Sequence, residues 1–327
     1  MRTPLLPVVS MALACGASPT TTPKAAPPPS GVVSPAISAA VDAPDREEAD
    51  RLLDAGRDPK DTLAFFGIAP GMKVADFGAG RGCLSRPDSR AQRLCRSYFR
   101  LRVEGAEHIP EGPVLYVGNH NGGIAGPDLS CTLGSLWDTR GPEAPLYALA
   151  HDFAMQQIPR FGDVIRRFGA LRARPENALR ALRAGAQVLV YPGGVIDAFR
   201  HARRRDEIVL AARTGFVRVA QSAKVPIVPI VAQGAHRSAY IFSEGEALAR
   251  LLRLRHWARV ERFPLALALP WGLALGPWLP YLPLPFPVQL RVLPPIEAPA
   301  GADPERIAEH VRAAMQTALD DLTRRAS

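Results

Sequence analysis

Cysteine is scarce in this chain: four in 327 residues, at positions 15, 83, 95 and 131. No two of them form a C-x-x-C pair and no histidine stands at zinc spacing, so neither a disulfide framework nor a metal site is expected. A Gly-x-Ser-x-Gly elbow is also missing, which argues against a serine hydrolase. Charge is absent from Phe263 to Leu290, 28 positions in all, a length that would suit a membrane span. Seven prolines in that run, however, remove too many backbone donors for a spanning helix. With Trp271, Trp278 and Tyr281, the run is predicted to be an apolar loop or hairpin dipping into a membrane interface, or else a lid folded over a groove.

What is present begins at Val114-Leu115-Tyr116-Val117-Gly118, a short apolar run that reads as a buried strand. It ends in Asn119-His120, followed by Asn121-Gly122-Gly123, whose glycines force a tight turn. The histidine is thereby delivered to a strand end, where open α/β sheets keep their chemistry. There an imidazole can take a proton from a hydroxyl near neutral pH. Asp128, eight residues on, is a candidate to hold the ring in the right tautomer. The plainer alternative is a histidine that caps a turn.

Three further segments follow in order. Phe168-Gly169-Ala170-Leu171-Arg172 comes first, then Val188-Leu189-Val190-Tyr191 entering Pro192-Gly193-Gly194. Val225-Pro226-Ile227-Val228-Pro229-Ile230-Val231 is a third apolar strand. Together with Asn-His and its downstream Asp, these blocks resemble the glycerolipid acyltransferase superfamily over roughly residues 90–300. The Tyr-Pro-Gly-Gly and Asn-His-x-Gly-Gly forms are most similar to the branch of mono- and diacylglycerol acyltransferases and their bacterial relatives. The resemblance implies an α/β fold of the glycerol-3-phosphate acyltransferase type, a mixed β-sheet flanked by helices. It also implies His120 and Asp128 as catalytic residues. Asn119, Gly122, Gly123, Arg172, Tyr191, Pro192, Gly193, Gly194 and Asp197 are the implied substrate-binding set.

The chain departs from that pattern twice. The common spacing puts the Asp five positions after the His, where Ala125 stands here; Asp152, beside His151, is a second candidate for the relay, or a helix-start cap. Relatives with phosphorylated acceptors carry Glu and Arg at the glycine turn, and Arg suits phosphate through its planar fork. Here Val195 and Ile196 follow Gly193-Gly194, which favours a neutral hydroxyl acceptor unless Arg172, Arg174 or the Arg200 to Arg205 run supplies the charge. The implied activity is transfer of a fatty acyl group from acyl-CoA or acyl-carrier protein to a lipid hydroxyl. His120 would be general base, with the Gly193 and Gly194 N–H groups as oxyanion donors and no cofactor. The alternatives are a 1-acylglycerol-3-phosphate acyltransferase, an inactive lipid-binding lipoprotein, or, from the N-terminal motif described below, a methyltransferase.

A formal charge of +9 and a pI near 9.9 point to an anionic partner. Membrane lipid or the phosphates of CoA fit. Nucleic acid does not, since the Arg200 to Arg205 run has no aromatic interleaving and no reading module beside it. A membrane-associated enzyme on the cytoplasmic face is therefore expected, where both acyl donors occur.

Residues 1–15 are similar to a bacterial lipoprotein signal ending at Cys15, which would instead export the chain. Residues 16–45, rich in Pro, Ser, Thr and Ala, read as a disordered tether. Within 46–82, the string Asp76-Phe77-Gly78-Ala79-Gly80-Arg81-Gly82 resembles the first motif of S-adenosylmethionine-dependent methyltransferases. One strand and one loop cannot bury a core, so this piece reads as a truncated fragment before an acyltransferase domain at 83–327. In that domain, helices are predicted at 90–102, from Pro175 to Gly185, over 214–223, and after Asp303-Pro304 with Ile307, Val311, Ala314, Met315, Ala318 and Leu322 on one face. The first is basic; it lies either on the core or along a bilayer surface.

Overall fold

The computed structural model describes residues 33–44, 60, 63–64, 90–121, 123, 126–141, 144–151, 165, 169–257, 262–269, 272–276 and 283–326. The signal-like segment, nearly all of the methyltransferase-like stretch, and Gly122, Ala125, Asp152, Trp271, Trp278 and Tyr281 lie outside them. The chain forms two compact units, Met1–Arg51 with Asp58–Met72, and Leu52–Arg57 with Lys73–Ser327.

In the first unit, helix α1 (Pro35–Val41) occupies part of the stretch read as a tether. Its start was written in the sequence: Ser34 Oγ accepts from Ile37 N at 3.2 Å, and Pro35 takes the first helical position. A composition rich in Pro and Ser conceals such a signal, because the same residues serve disorder and helix starts. Lys60 and Asp42 form an ion pair at 2.7 Å within this unit.

The second unit is built on a seven-stranded sheet, order β1-β10-β6-β2-β5-β3-β4. Its strands are β1 (Arg102–Glu104), β2 (Leu115–Gly118), β3 (Leu146–Ala150), β4 (Ala170–Arg172), β5 (Gln187–Val190), β6 (Ile227–Gln233) and β10 (Gln289–Val292). From β6 to β4 all neighbours are parallel, whereas β10 runs antiparallel to β6. This is the mixed, helix-flanked α/β sheet expected. Central strands β2 and β6 are buried along their whole length, as strands covered on both faces must be.

Helix α2 (Arg90–Ser97) and helix α3 (Pro127–Arg140) lie on one face. Tyr116, Leu189, Val228 and Ile230 pack there against Leu133, Leu136 and Trp137 of α3. The basic α2 also belongs to the core: Cys95 and the following Phe99 are buried with Cys131 and Leu290. It ends at Ser97, short of the predicted 102, because the chain from Arg102 pairs with β10. The other helices include α4 (Pro175–Arg183), α5 (Gly194–Ala198), α6 (Gly215–Ala223) and α9 (Pro304–Ala326). Between α6 and α9 come two short ones, α7 (Glu246–Leu251) and α8 (Leu254–Trp257). On α9 the buried stripe is Val311, Met315, Ala318, Leu319 and Leu322, close to the predicted face.

A second, antiparallel sheet contains β7 (Tyr240–Ser243), β8 (Leu265–Ala268) and β9 (Gly272–Leu275). The β8–β9 hairpin falls inside the uncharged, proline-rich run. Among the described residues, no helix is long and apolar enough to cross a membrane.

Candidate active site

The parallel strands β2 and β5 end on the same edge of the sheet, and each is followed by a glycine-bearing turn. Gly118 closes β2 because a Cβ there would meet the Tyr191 ring that follows β5, at 2.5 Å. The absence of that atom lets Tyr191 stack on His120, with ring centroids 4.8 Å apart and planes 29° from parallel.

His120 Nδ1 lies 2.7 Å from Asp128 Oδ2. The longer His-to-Asp spacing is absorbed by the loop before α3, whose first turn begins at Pro127 and presents Asp128. Gly126 is required there, since a Cβ would run into the Asn121 carbonyl and the Asp128 carboxylate. Asp128 is fully buried, and its Oδ2 also accepts from Asn121 N at 3.1 Å. A carboxylate so placed keeps the imidazole proton on Nδ1 and leaves Nε2 as the basic nitrogen. Burial opposes charge on His120, but Asp128, and more weakly Asp197, outweigh it and raise the imidazole pKa above its usual 6.5.

Asp197 and Asn119, both expected among the substrate-binding residues, are buried and bonded within the protein. Asp197 is 1% exposed; one oxygen accepts from His120 N at 2.5 Å, and the other is ion-paired to Arg200. Burial lifts its carboxyl to about 6, against the opposing pull of Arg200 and of His120 N–H. Asn119 spends its amide on β6, donating to Ala232 O at 3.0 Å and accepting from Ala232 N at 2.8 Å. Both residues fix the loop that carries His120. Gly123, at φ +79°, secures its other end by donating to Ala198 O at 2.9 Å.

At the glycine turn, Gly193 has no room for a Cβ against Val209 O and Asp197. Gly194, at φ +53°, donates its N–H to Tyr191 O at 3.0 Å. That bond removes Gly194 from the expected oxyanion donors. Gly193 N–H has no acceptor among the described residues. Pro192 contributes its carbonyl, which accepts from Arg213 at 2.9 Å. Arg172 ends β4, on the same edge as His120 but three strands away, roughly 14 Å at ordinary strand spacing. Gly122 lies outside the described residues.

Two arginines complete the site; the sequence pointed to Arg200 only as part of a basic run, and not to Arg213 at all. Arg200 is 5% exposed and binds Asp197, the Asn121 side chain and the Glu207 carbonyl. Its charge is therefore consumed in place and is not offered to a phosphate. Its Nε has no hydrogen-bond partner among the described residues, and nor does His236 Nε2; both residues border one water-sized cavity. Burial depresses the His236 pKa to about 4. Arg213 is exposed and arrives from a loop in which Ala211 and Ala212 both hold positive φ, 53° and 51°. This puts a cation at a turn whose own sequence has none. The only sequence signal was the basic character of the two segments, which does not say where their side chains go.

Residues 100–233 match the family described as Acyltransferase. An uncharacterized protein of Mycobacterium tuberculosis is 31% identical over 189 residues, 55% of this chain and 52% of that one. The human DGAT1/2-independent enzyme synthesizing storage lipids is 31% identical over 226 residues, 67% of this chain and 60% of that one. This chain thus spans about half to three-fifths of the length of these relatives. The crystal structure of the 1-acyl-sn-glycerophosphate acyltransferase PlsC from Thermotoga maritima aligns at a TM-score of 0.44 and 17% identity, over 72% of this chain and 81% of that one. None of these relatives is named as a methyltransferase.

Proposed function

We propose, from the match of residues 100–233 to the family described as Acyltransferase, that the protein moves a fatty acyl group from acyl-CoA or acyl-carrier protein to a lipid hydroxyl, with His120 as general base. The observation that carries this reading is the contact of His120 Nδ1 with buried Asp128 at 2.7 Å at the end of β2. His120 Nε2 takes the proton of the acceptor alcohol as its oxygen attacks the thioester carbonyl. The new C–O bond gives a tetrahedral oxyanion, for which Gly193 N–H is the available donor at the turn. The oxyanion collapses, the C–S bond breaks, and the thiolate recovers the proton from His120. No covalent enzyme intermediate is needed, and Asp128 holds the ring throughout. Such chemistry belongs at the cytoplasmic face of a membrane, where donor and acceptor meet.

A neutral glycerolipid is the acceptor we favour. Arg200, the buried cation nearest His120, is already paired, and the human relative is named for storage-lipid synthesis. One observation supports a second reading: Arg213 at the glycine turn suits a phosphorylated acceptor such as 1-acylglycerol-3-phosphate.

Labelled acyl-CoA supplied with monoacylglycerol, diacylglycerol or lysophosphatidic acid tests the acceptor. Preference for lysophosphatidic acid, lost in Arg213→Ala, would establish the second reading. His120→Ala is expected to lower turnover by about two to four decades with folding intact. The wild-type kcat/KM should fall as pH falls through a group above 6.5, because protonation removes the base. Turnover near wild type in His120→Ala would reject the mechanism.

A further inference from the structure

The small sheet is patterned the wrong way round for a soluble protein. Strands β8 and β9 alternate leucine with alanine, and the alanines point inward: Ala268 and Ala274 are buried, as is Ile241 of β7. The large side chains point out. Leu267, Leu273 and Leu275 are 51%, 62% and 54% exposed, with Tyr240 and Phe242 beside them at 49% and 45%. These residues share one face. Leu267 pairs with Leu273 across β8 and β9, and Tyr240 pairs with Leu267 across β7 and β8. The two aromatic rings lie 4.8 Å apart.

We propose that this face docks on a lipid bilayer with anionic headgroups. A contiguous apolar face of this kind marks an interaction surface, and three features select a bilayer as its occupant. Tyr at the sheet edge combines an apolar ring with a polar tip, the chemistry of the membrane interface. The connection from β7 to β8 exposes Leu251 and Leu252 between Arg250 and Arg253, so apolar tips alternate with cations able to reach headgroups. A chain at +9 is drawn to an anionic surface, whereas a second copy would bring like charge against like. The inner side of the sheet also reaches the site: Ile241 and Ala266 pack on Val195, Ala198 and Phe199, in and next to the helix that carries Asp197. Docking here would set the bilayer one sheet away from the glycine turn. The docking face is independent of the acyl-transfer reading.

Flotation of the full chain with phosphatidylglycerol-containing vesicles, without substrate, is the test. Wild type should float with these vesicles, less with pure phosphatidylcholine, and less as salt rises. The double variant Leu267→Ser, Leu273→Ser should bind at least about tenfold more weakly, at an unchanged melting temperature, while Leu267→Met, Leu273→Met retains binding. Three results would overturn the proposal: failure of wild type to float, equal flotation of the serine variant, or a wild-type dimer that the serine variant dissolves without change in flotation.

Discussion

The two sheets of the second unit follow opposite rules. In the seven-stranded sheet, large side chains such as Leu115, Tyr116, Leu189 and Ile227 are almost wholly buried. In the three-stranded sheet, the leucines face out and the alanines face in. Apolar area removed from water stabilises a fold by roughly 25 cal/mol per Å², so the first sheet gains from its large residues and the second forgoes most of that gain. A strand that gives up burial is serving something other than the core. The His120 loop stands between these extremes, because its buried Asn119, Asn121, Asp128 and Asp197 are polar and each is matched to at least one partner.

The largest expected effect on stability comes from breaking that matching. Arg200→Met leaves the Asp197 carboxylate buried without its cation, which typically costs about 3–5 kcal/mol. Because Asp197 also accepts from His120 N, acyl transfer should fall along with stability. Adding Asp197→Asn should recover part of the stability, as the orphaned charge is then gone. Chemical denaturation of the single and double variants reads this directly. An Arg200→Met variant as stable as wild type would show that the pair is not a fixed part of the loop.

Leu189→Ala is expected to rank close behind, at about 2–5 kcal/mol. Leu189 is fully buried at the centre of β5, against Leu133, Leu136 and Trp137, and the fixed helix α3 limits collapse of the cavity.

Much of this contrast was legible in the sequence, and the rest was hidden for physical reasons. Apolar runs placed β2, β5 and β6 within two residues, since a strand buried on both faces has to be continuously apolar. The candidate pair at the end of β2 was legible too: His120 meets Asp128 despite the long spacing between them. The roles of Asn119 and Asp197 were not, because a polar side chain near a site looks the same whether it meets a substrate or a backbone amide. Arg200 reaches Asn121 across 79 positions, a closure that no local pattern records. In the run after Phe263, the prolines ruled out a span. The sequence pointed no further than to a loop, hairpin or lid; Leu265-Ala266-Leu267-Ala268 has the period of a strand, but period-two alternation does not say which face is inward. Only the packing of Ala266 on Phe199 decides it.

The smallest expected effect is the one that sharpens the comparison most. Leu273→Ala removes as many atoms as Leu189→Ala, from a strand of the same length. Leu273 is 62% exposed, however, so its truncation opens no cavity and takes little apolar area out of a packed environment. The unfolding free energy should change by no more than about 0.5 kcal/mol, as for surface substitutions generally. Any gain falls to the isolated protein, since a mostly exposed leucine gains little from folding and alanine costs less side-chain entropy to order. Denaturant titration of the two variants side by side measures the difference. A loss near 2 kcal/mol for Leu273→Ala would mean that the outer face is covered within the protein itself, and the contrast between the sheets would collapse. A null effect on stability leaves the outward leucines without a role in folding, so that whatever they are for must come from outside the chain.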